Sequence, residues 1–390
     1  MTVKDASAQE RVAEQARQAL QKRDPRAALE IISRLETRDL TPALLMDKAL
    51  ALRMLGDLPA ALRALDSALT LDPYNFLALL SKAALVEGTA GWKAAAPIYK
   101  NVLAIAPADG DLAESLRAPV RRAREVVEQF AEALSAHLRQ SVQTLRQRHA
   151  KESLERFDES LEIFSGKAHP WPQQPLLLHY PRLPAIPFHP RTDFPWLGEL
   201  EAATPVVQEE LKGALADDAD AFAPYIAYPP GAPVNQWGQL NHSRLWSSYF
   251  LWKDGERQDR ACARCPRTAA LLESLPLARQ SGFAPTAMFS ALEAHTRIPA
   301  HTGSANTRLI VHLPLVLPGP ARFRVGAETR EWRMGEAWVF DDTIEHEAWN
   351  DADALRVILI LDVWNPLLSA AERELISAMM AAKNAFQTSG

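Results

Sequence analysis

Cysteine is scarce in this chain of 390 residues: Cys262 and Cys265, in the segment CARC, are the only two. A structural zinc site needs four ligands, and no second CxxC or nearby histidine pair supplies the rest. A redox CxxC opens a helix within a βαβ pattern, and that pattern is absent around it. The pair is expected to be reduced or structural thiols in a loop. A basic excess is also missing. The net charge of −5 gives no face for nucleic acid. No apolar run reaches the roughly 18 residues of a spanning helix, so no membrane segment is expected. The start, MTVKDASAQERVAEQ, is polar and lacks the apolar core of a signal peptide. A cytoplasmic protein is the expectation. What is present, 47% hydrophobic and 23% charged residues, is ordinary for a globular chain. Its length suggests about two to three domains.

Residues 1–112 are rich in Ala and Leu at helical spacing. Leu55-Gly56-Asp57 is followed by Ala60, Ala61, Ala68 and Asp72-Pro73. One period later come Gly91, Ala94, Ala95, Val102 and Ala106-Pro107, with the two prolines 34 positions apart. A poorer copy runs from Lys22-Arg23-Asp24 through Ala27, Ala28 and Leu35. Small residues belong where two helices of a unit cross closely, and Pro ends the second helix because it cannot continue the ladder. This resembles tetratricopeptide repeats, which imply a face for docking peptides or proteins. Residues 113–165 stay helical and become highly charged, as one or two long connecting helices. The run Arg121, Arg122, Arg124 reads as a solvated face.

The texture changes at His169-Pro170, where a Pro-rich, aromatic stretch predicts extended chain. A helix is expected around Trp196 to Ala214. Short β-rich runs then predominate: WSSYFLW, TAMFSALEA, TRLIVHLPLVL, ARFRVG, AWVFDD and LRVILILDVW. Many short strands without βαβ alternation point to a double-sheet jelly roll over 166–390. SAAERELISAMMAAKNAF reads as a terminal amphipathic helix. The expected fold class is therefore multidomain α + β, helical repeats followed by a double-stranded β-helix.

His301 and His346 are the candidate metal ligands. Two imidazoles, a carboxylate pair and a late arginine on β-rich runs suit a non-haem iron site that also takes a dicarboxylate. A facial triad would put Asp or Glu two positions after His301, but Gly303 stands there. Arg356 lies ten residues past His346, flanked by Leu355, Val357 and Ile358. The even separation is compatible with both side chains entering one interior. A buried arginine calls for an anion, and its fork matches a carboxylate bidentately. A structural ion pair to Asp362 or Asp353 is the alternative. Ser290 offers a hydroxyl to the same carboxylate. Trp237, Arg244, Trp246 and Trp252 would line a substrate groove or belong to the core.

HTG, N-x-R-L, HLPL, F-R-V-G, W-x-x-G, FDD-x-x-EH-x-x-WN, LRV and DVWNP, in this order, are similar to the aspartyl/asparaginyl β-hydroxylase family of Fe(II)/2-oxoglutarate oxygenases, over about residues 170–370. The resemblance implies a double-stranded β-helix, Fe(II) held by His301 and His346, and 2-oxoglutarate held at its far carboxylate by Arg356 and Ser290. It implies that Asp342 holds a metal-bound water in place of a third ligand, with service as a turn residue the alternative for Asp341 or Asp342. His312 matches a histidine facing the co-substrate, and Arg308 a basic residue of the same pocket. Relatives that hydroxylate extracellular modules carry a second Arg where Ile310 stands, so recognition of an aspartyl side chain is in question.

The expected activity is hydroxylation of an unactivated C–H bond with O2 and 2-oxoglutarate. The expected substrate is Asp, Asn or a similar residue of a peptide or protein, docked by the helical repeats. One alternative is hydroxylation of a lipid-linked acyl chain, against which the lack of a membrane segment counts. The other is a non-catalytic repeat scaffold whose oxygenase-like module only binds a ligand.

Overall fold

The structure is a computed structural model that describes residues 3–388. It divides into two compact units, one ending at His169 and the other starting at Pro170. Among the described residues no helix is long and apolar enough to cross a membrane.

The first unit is helical: α1 (Val3–Gln21), α2 (Pro25–Ile32), α3 (Pro42–Met54), α4 (Leu58–Leu71), α5 (Phe76–Ala90), α6 (Trp92–Ile105), α7 (Glu114–Arg148) and α8 (Glu155–Ser165). Each packs on the next. The repeat pattern has a local cause. Asp24 and Asp57 cap α2 and α4 by accepting from the backbone N–H of Ala27 and Ala60, each at 3.0 Å. At the matching place before α6 stands Gly91, with φ +86°. Pro73 and Pro107 lie two residues beyond the ends of α4 and α6. Ala28, Ala61, Ala68, Ala95 and Val102 are fully buried, as close crossings require. On α7, Val120, Ala123 and Val126 are buried. Arg122 leaves that face to pair with Glu87 at 2.6 Å, and Arg124 pairs with Asp109.

The second unit holds α9 (Leu197–Ala202), α10 (Thr204–Asp217), β1 (Ala223–Pro224), β2 (Trp246–Lys253), β3 (Glu256–Arg257), α11 (Asp259–Arg264), α12 (Pro266–Ser274), β4 (Ala287–Leu292), β5 (Thr296–His301), β6 (Arg308–Val316), β7 (Ala321–Val325), β8 (Glu328–Glu331), β9 (Trp338–Phe340), β10 (His346–Asn350), β11 (Arg356–Trp364) and α13 (Ala370–Thr388). The helix expected around Trp196–Ala214 is two, because Pro205 starts a second helix at Thr204. CARC lies on a helix, not in a loop: Cys262 is within α11 and Cys265 caps its end. Both thiols are free and buried, and burial pushes Cys265 up to about 12, which leaves it unreactive.

Both sheets are antiparallel. The larger runs β1-β2-β4-β11-β6-β9, with β3 also on β2, and the smaller runs β5-β10-β7-β8. Side chains alternate across a strand, so each strand serves two faces. Phe289, Leu309, Val311, Leu359 and Leu361 pack with Leu200, Leu211 and Leu272 of the helices. On the opposite face Leu292, Ile310 and Ile358 pack with Phe323, Val325 and Ala348 of the smaller sheet. The side chains singled out in the sequence as candidate site residues lie between the two sheets.

Asp57→Ala removes the cap of α4. The expected loss is about 1 kcal/mol of stability in the helical unit. Urea unfolding of the variant followed by circular dichroism checks it, and an unchanged midpoint would deny the cap a role.

Candidate metal and anion site

His301 ends β5 and His346 begins β10, and the antiparallel register sets them directly opposite each other. Their ring centroids are 4.1 Å apart. His301 Nδ1 faces the Pro299 carbonyl at 2.7 Å, and His346 Nδ1 faces the Ile344 carbonyl at 3.0 Å. A carbonyl only accepts, so each Nδ1 carries the proton and each Nε2 keeps its lone pair. Burial holds both imidazoles below their ordinary pKa, His346 well below with help from His301. Two neutral rings with fixed tautomers are the form in which histidine binds a metal. Among the described residues no group of three or more His, Cys, Asp or Glu side chains is gathered as metal ligands.

Gly303 explains the missing carboxylate. A Cβ at this position would collide with the Asp342 carboxylate. Its N–H donates to the Asp342 carbonyl at 2.6 Å. The side chain of Asp342 thus fills the space that residue 303 leaves. Asp341 does the work of the turn, accepting from the Thr343 N–H at 2.9 Å and the Thr343 hydroxyl at 2.5 Å. Asp342 does not: its Oδ1 is buried without a partner. Burial raises its pKa to about 7, against the lowering charge of Arg308.

Arg356 is 1% exposed. Its Nε and one terminal nitrogen have no hydrogen-bond partner. It stacks over Trp332 at 4.7 Å, and burial alone pulls its pKa down to about 9. The alternative partners are taken: Asp362 pairs with Arg308, and Asp353 with His295 at 2.8 Å. Ser290 is also buried, and its Oγ accepts from the Trp246 indole N–H at 3.0 Å, which leaves its own O–H free to donate. His312 lies in the same neighbourhood, held neutral by burial and by the charge of Arg356. Its Nδ1 has no partner.

These seven residues (Ser290, His301, Arg308, His312, Asp342, His346 and Arg356) all line one cavity of about 270 Å³. Sequence spacing gave the wrong reason for one pair. His346 and Arg356 stand on different sheets, so an even separation says nothing about a shared face. The four groove candidates divide. Trp237 and Trp246 line the cavity. Trp252 belongs to the core under the helices, and Arg244 is exposed toward Asp220 at 3.5 Å. Three roles had gone unread in the sequence: Trp332 under Arg356, Trp246 on Ser290, and Asp362 against Arg308. Only the last left a signal, since Asp362 lies an even six residues from Arg356 on one strand.

Residues 201–366 match the family model described as aspartyl/asparaginyl beta-hydroxylase. A human aspartyl/asparaginyl beta-hydroxylase is 38% identical over 136 residues, 34% of this chain and 18% of that protein. An ornithine lipid ester-linked acyl 2-hydroxylase of Rhizobium tropici is 32% identical over 200 residues, 50% of this chain and 66% of that protein. The chain thus spans under a fifth of the human protein and just under two thirds of the bacterial one. A solved Sgt2 TPR domain from Aspergillus fumigatus covers 33% of this chain and 82% of its own at 16% identity, with a TM-score of 0.26, too low to bear on the fold.

Gly303→Ala tests the space-filling relation. The extra methyl should displace the Asp342 carboxylate and lower stability by about 1–3 kcal/mol. Chemical denaturation beside Ser304→Ala as a control measures this, and equal midpoints would refute it.

Proposed function

We propose that this chain, which belongs to the aspartyl/asparaginyl β-hydroxylase family through residues 201–366, is an Fe(II)- and 2-oxoglutarate-dependent hydroxylase of an unactivated C–H bond. The observation that carries the reading is a single cavity holding two neutral imidazoles and a buried, uncompensated guanidinium. His301 and His346 would hold the iron through Nε2. Asp342, with an orphaned carboxylate oxygen, would hold a water on it, in the space Gly303 provides. Arg356 and the Ser290 hydroxyl would hold the far carboxylate of 2-oxoglutarate. Iron, when bound, supplies activation of O2, one oxygen atom entering the substrate and the other the succinate formed as 2-oxoglutarate loses CO2.

The chain's own contribution is binding and orientation. Trp246 fixes the Ser290 hydroxyl, and Trp332 fixes the plane of Arg356. Ile298, Ile310, Phe323, Phe340 and Ile358 make the surrounding wall apolar and limit water. The strand order supports a double-stranded β-helix. From β4 to β11 the strands alternate between the sheets, apart from the hairpin β7-β8, which stays in the smaller one, giving 4-11-6-9 in one and 5-10-7-8 in the other. We assign residues 166–390 to catalysis, 113–165 to connection, and repeats in 1–112 to docking the substrate or its carrier. The substrate classes in the relatives' names are an aspartyl or asparaginyl residue and an ester-linked acyl chain.

Two experiments test the site. His301→Ala and His346→Ala should each abolish Fe(II) binding in anaerobic titration and succinate release in air. Retention of both by the double variant would end the proposal. Arg356→Met should raise the KM or Kd for 2-oxoglutarate about tenfold to a hundredfold, the loss of charge-assisted hydrogen bonds. The same change should raise the Tm of the ligand-free protein, because an uncompensated buried charge is removed. A lower Tm with unchanged 2-oxoglutarate binding would mark Arg356 as structural instead.

A further inference from the structure

The charges on the cavity wall do not add up to a site for an acidic substrate. Two cations reach the wall, Arg308 and Arg356. Arg308 is already neutralised. It forms an ion pair with Asp362, lies 4.0 Å from Asp342, and covers the Phe283 ring at 5.0 Å. Arg356 has no acidic partner and is committed to the co-substrate on the reading above. Of the three cavity histidines, His301 and His346 are committed to the metal on the same reading, and His312 is ringed by Phe323, Trp332 and Phe340. A substrate carboxylate would meet no free side-chain cation and would face the carboxyl groups of Asp342 and Asp362. Burying an unpaired charge beside like charges is strongly unfavourable.

The remaining wall has its own chemistry. Along β11 the inward residues are Arg356, Ile358, Ile360 and Asp362. At about 3.3 Å per residue the two charged ends are roughly 20 Å apart, with two isoleucines between them. Met288 stands beside Ile360 on β4, and Ile310 beside Asp362 on β6. Leu176, 76% exposed, and Tyr225, 39% exposed, carry this apolar character out to solvent. The buried Nε of Arg308 has no partner, and Arg308 lies on the same strand as Ile310. It can donate to a neutral oxygen such as a carbonyl.

We infer that the substrate half of the cavity takes an uncharged, largely aliphatic acyl chain and rejects a carboxylate-bearing side chain, an inference that rests on the hydroxylase reading. The chain lies along Ile358, Ile360, Met288 and Ile310, with an ester or amide carbonyl toward Arg308. A spanning helix is not needed for this, since an acyl chain can be delivered on a carrier or in a micelle.

The test uses the full chain and three probes: methyl decanoate, decanoate and a hexapeptide with one aspartate. Isothermal titration without metal reads binding alone. Methyl decanoate should bind at least tenfold more tightly than either acid. With Fe(II), 2-oxoglutarate and O2, only the ester should stimulate succinate release and gain one oxygen atom by mass. Equal or better binding and turnover of the aspartyl peptide would overturn the inference. Asp362→Asn frees Arg308 and should narrow the preference for the ester at least threefold; an unchanged preference counts against it. If that variant does not fold, Ile310→Lys places a cation in the same stretch and is expected to act the same way. Failure of the hydroxylase reading looks different: no probe yields succinate, while the ester still binds and the acids do not.

Discussion

The site depends on one strand pairing. β5 and β10 run antiparallel in a register that sets His346 opposite His301. Residues 45 positions apart are thereby brought ring to ring. A slip of one residue would turn either imidazole to the other face of the sheet. The register is held from both sides, because β10 also pairs with β7 along its whole length. Backbone carbonyls two residues upstream of each histidine then fix the tautomers. No side chain is recruited for that purpose, so the metal-binding form is a property of the backbone path itself.

Around this pair the cavity keeps groups that a purely structural core would pair or remove. Arg356, His312, Asp342 and Arg308 each have at least one buried nitrogen or oxygen without a partner. Such groups cost about 1–3 kcal/mol apiece, and more when charged. The surroundings bear that cost through dense packing: Leu309, Leu313, Val357, Leu359 and Leu361 on the other face of the same strands are almost wholly buried. The strands therefore divide labour by parity. One set of alternate residues supplies hydrophobic stability, and the other holds polar groups poised for ligands.

Much of this was legible in the chain. The strand runs around β2, β4, β6, β7, β9 and β11 could be read from apolar patterning, and the repeat from the spacing of Asp57, Pro73 and Pro107. The histidines and Arg356 stood out by motif and by flanking residues. Other features could not be read, for physical reasons. β5 carries three polar residues and a proline in TRIPAH, so no alternation announces it. Which carboxylate neutralises Arg308 depends on β6 and β11 lying side by side, a contact between residues 54 positions apart. Gly303 looked like an absent ligand, and only the approach of Asp342 shows it to be a space left for that carboxylate. CARC looked like loop because its helix is just six residues long.

The orphaned groups also bear on whether the oxygenase-like unit is a mere binding scaffold. A module that only bound a small anion would need Arg356 and Ser290. It would have no use for two imidazoles aligned by register, nor for a glycine that admits a buried carboxylate beside them. Those features lower stability without serving an anion: Asp342 is desolvated enough to lift its pKa to about 7, and the imidazoles are held neutral against their hydration. A fold that keeps unfavourable groups at both ends of one cavity keeps them for a process that uses both ends together. Metal at one end and a carboxylate at the other is the simplest process of that kind. On the proposed reading 2-oxoglutarate fills the space between those ends, and the apolar stretch of Ile360, Met288 and Ile310 presents the C–H bond, so its chemistry sets what can be presented.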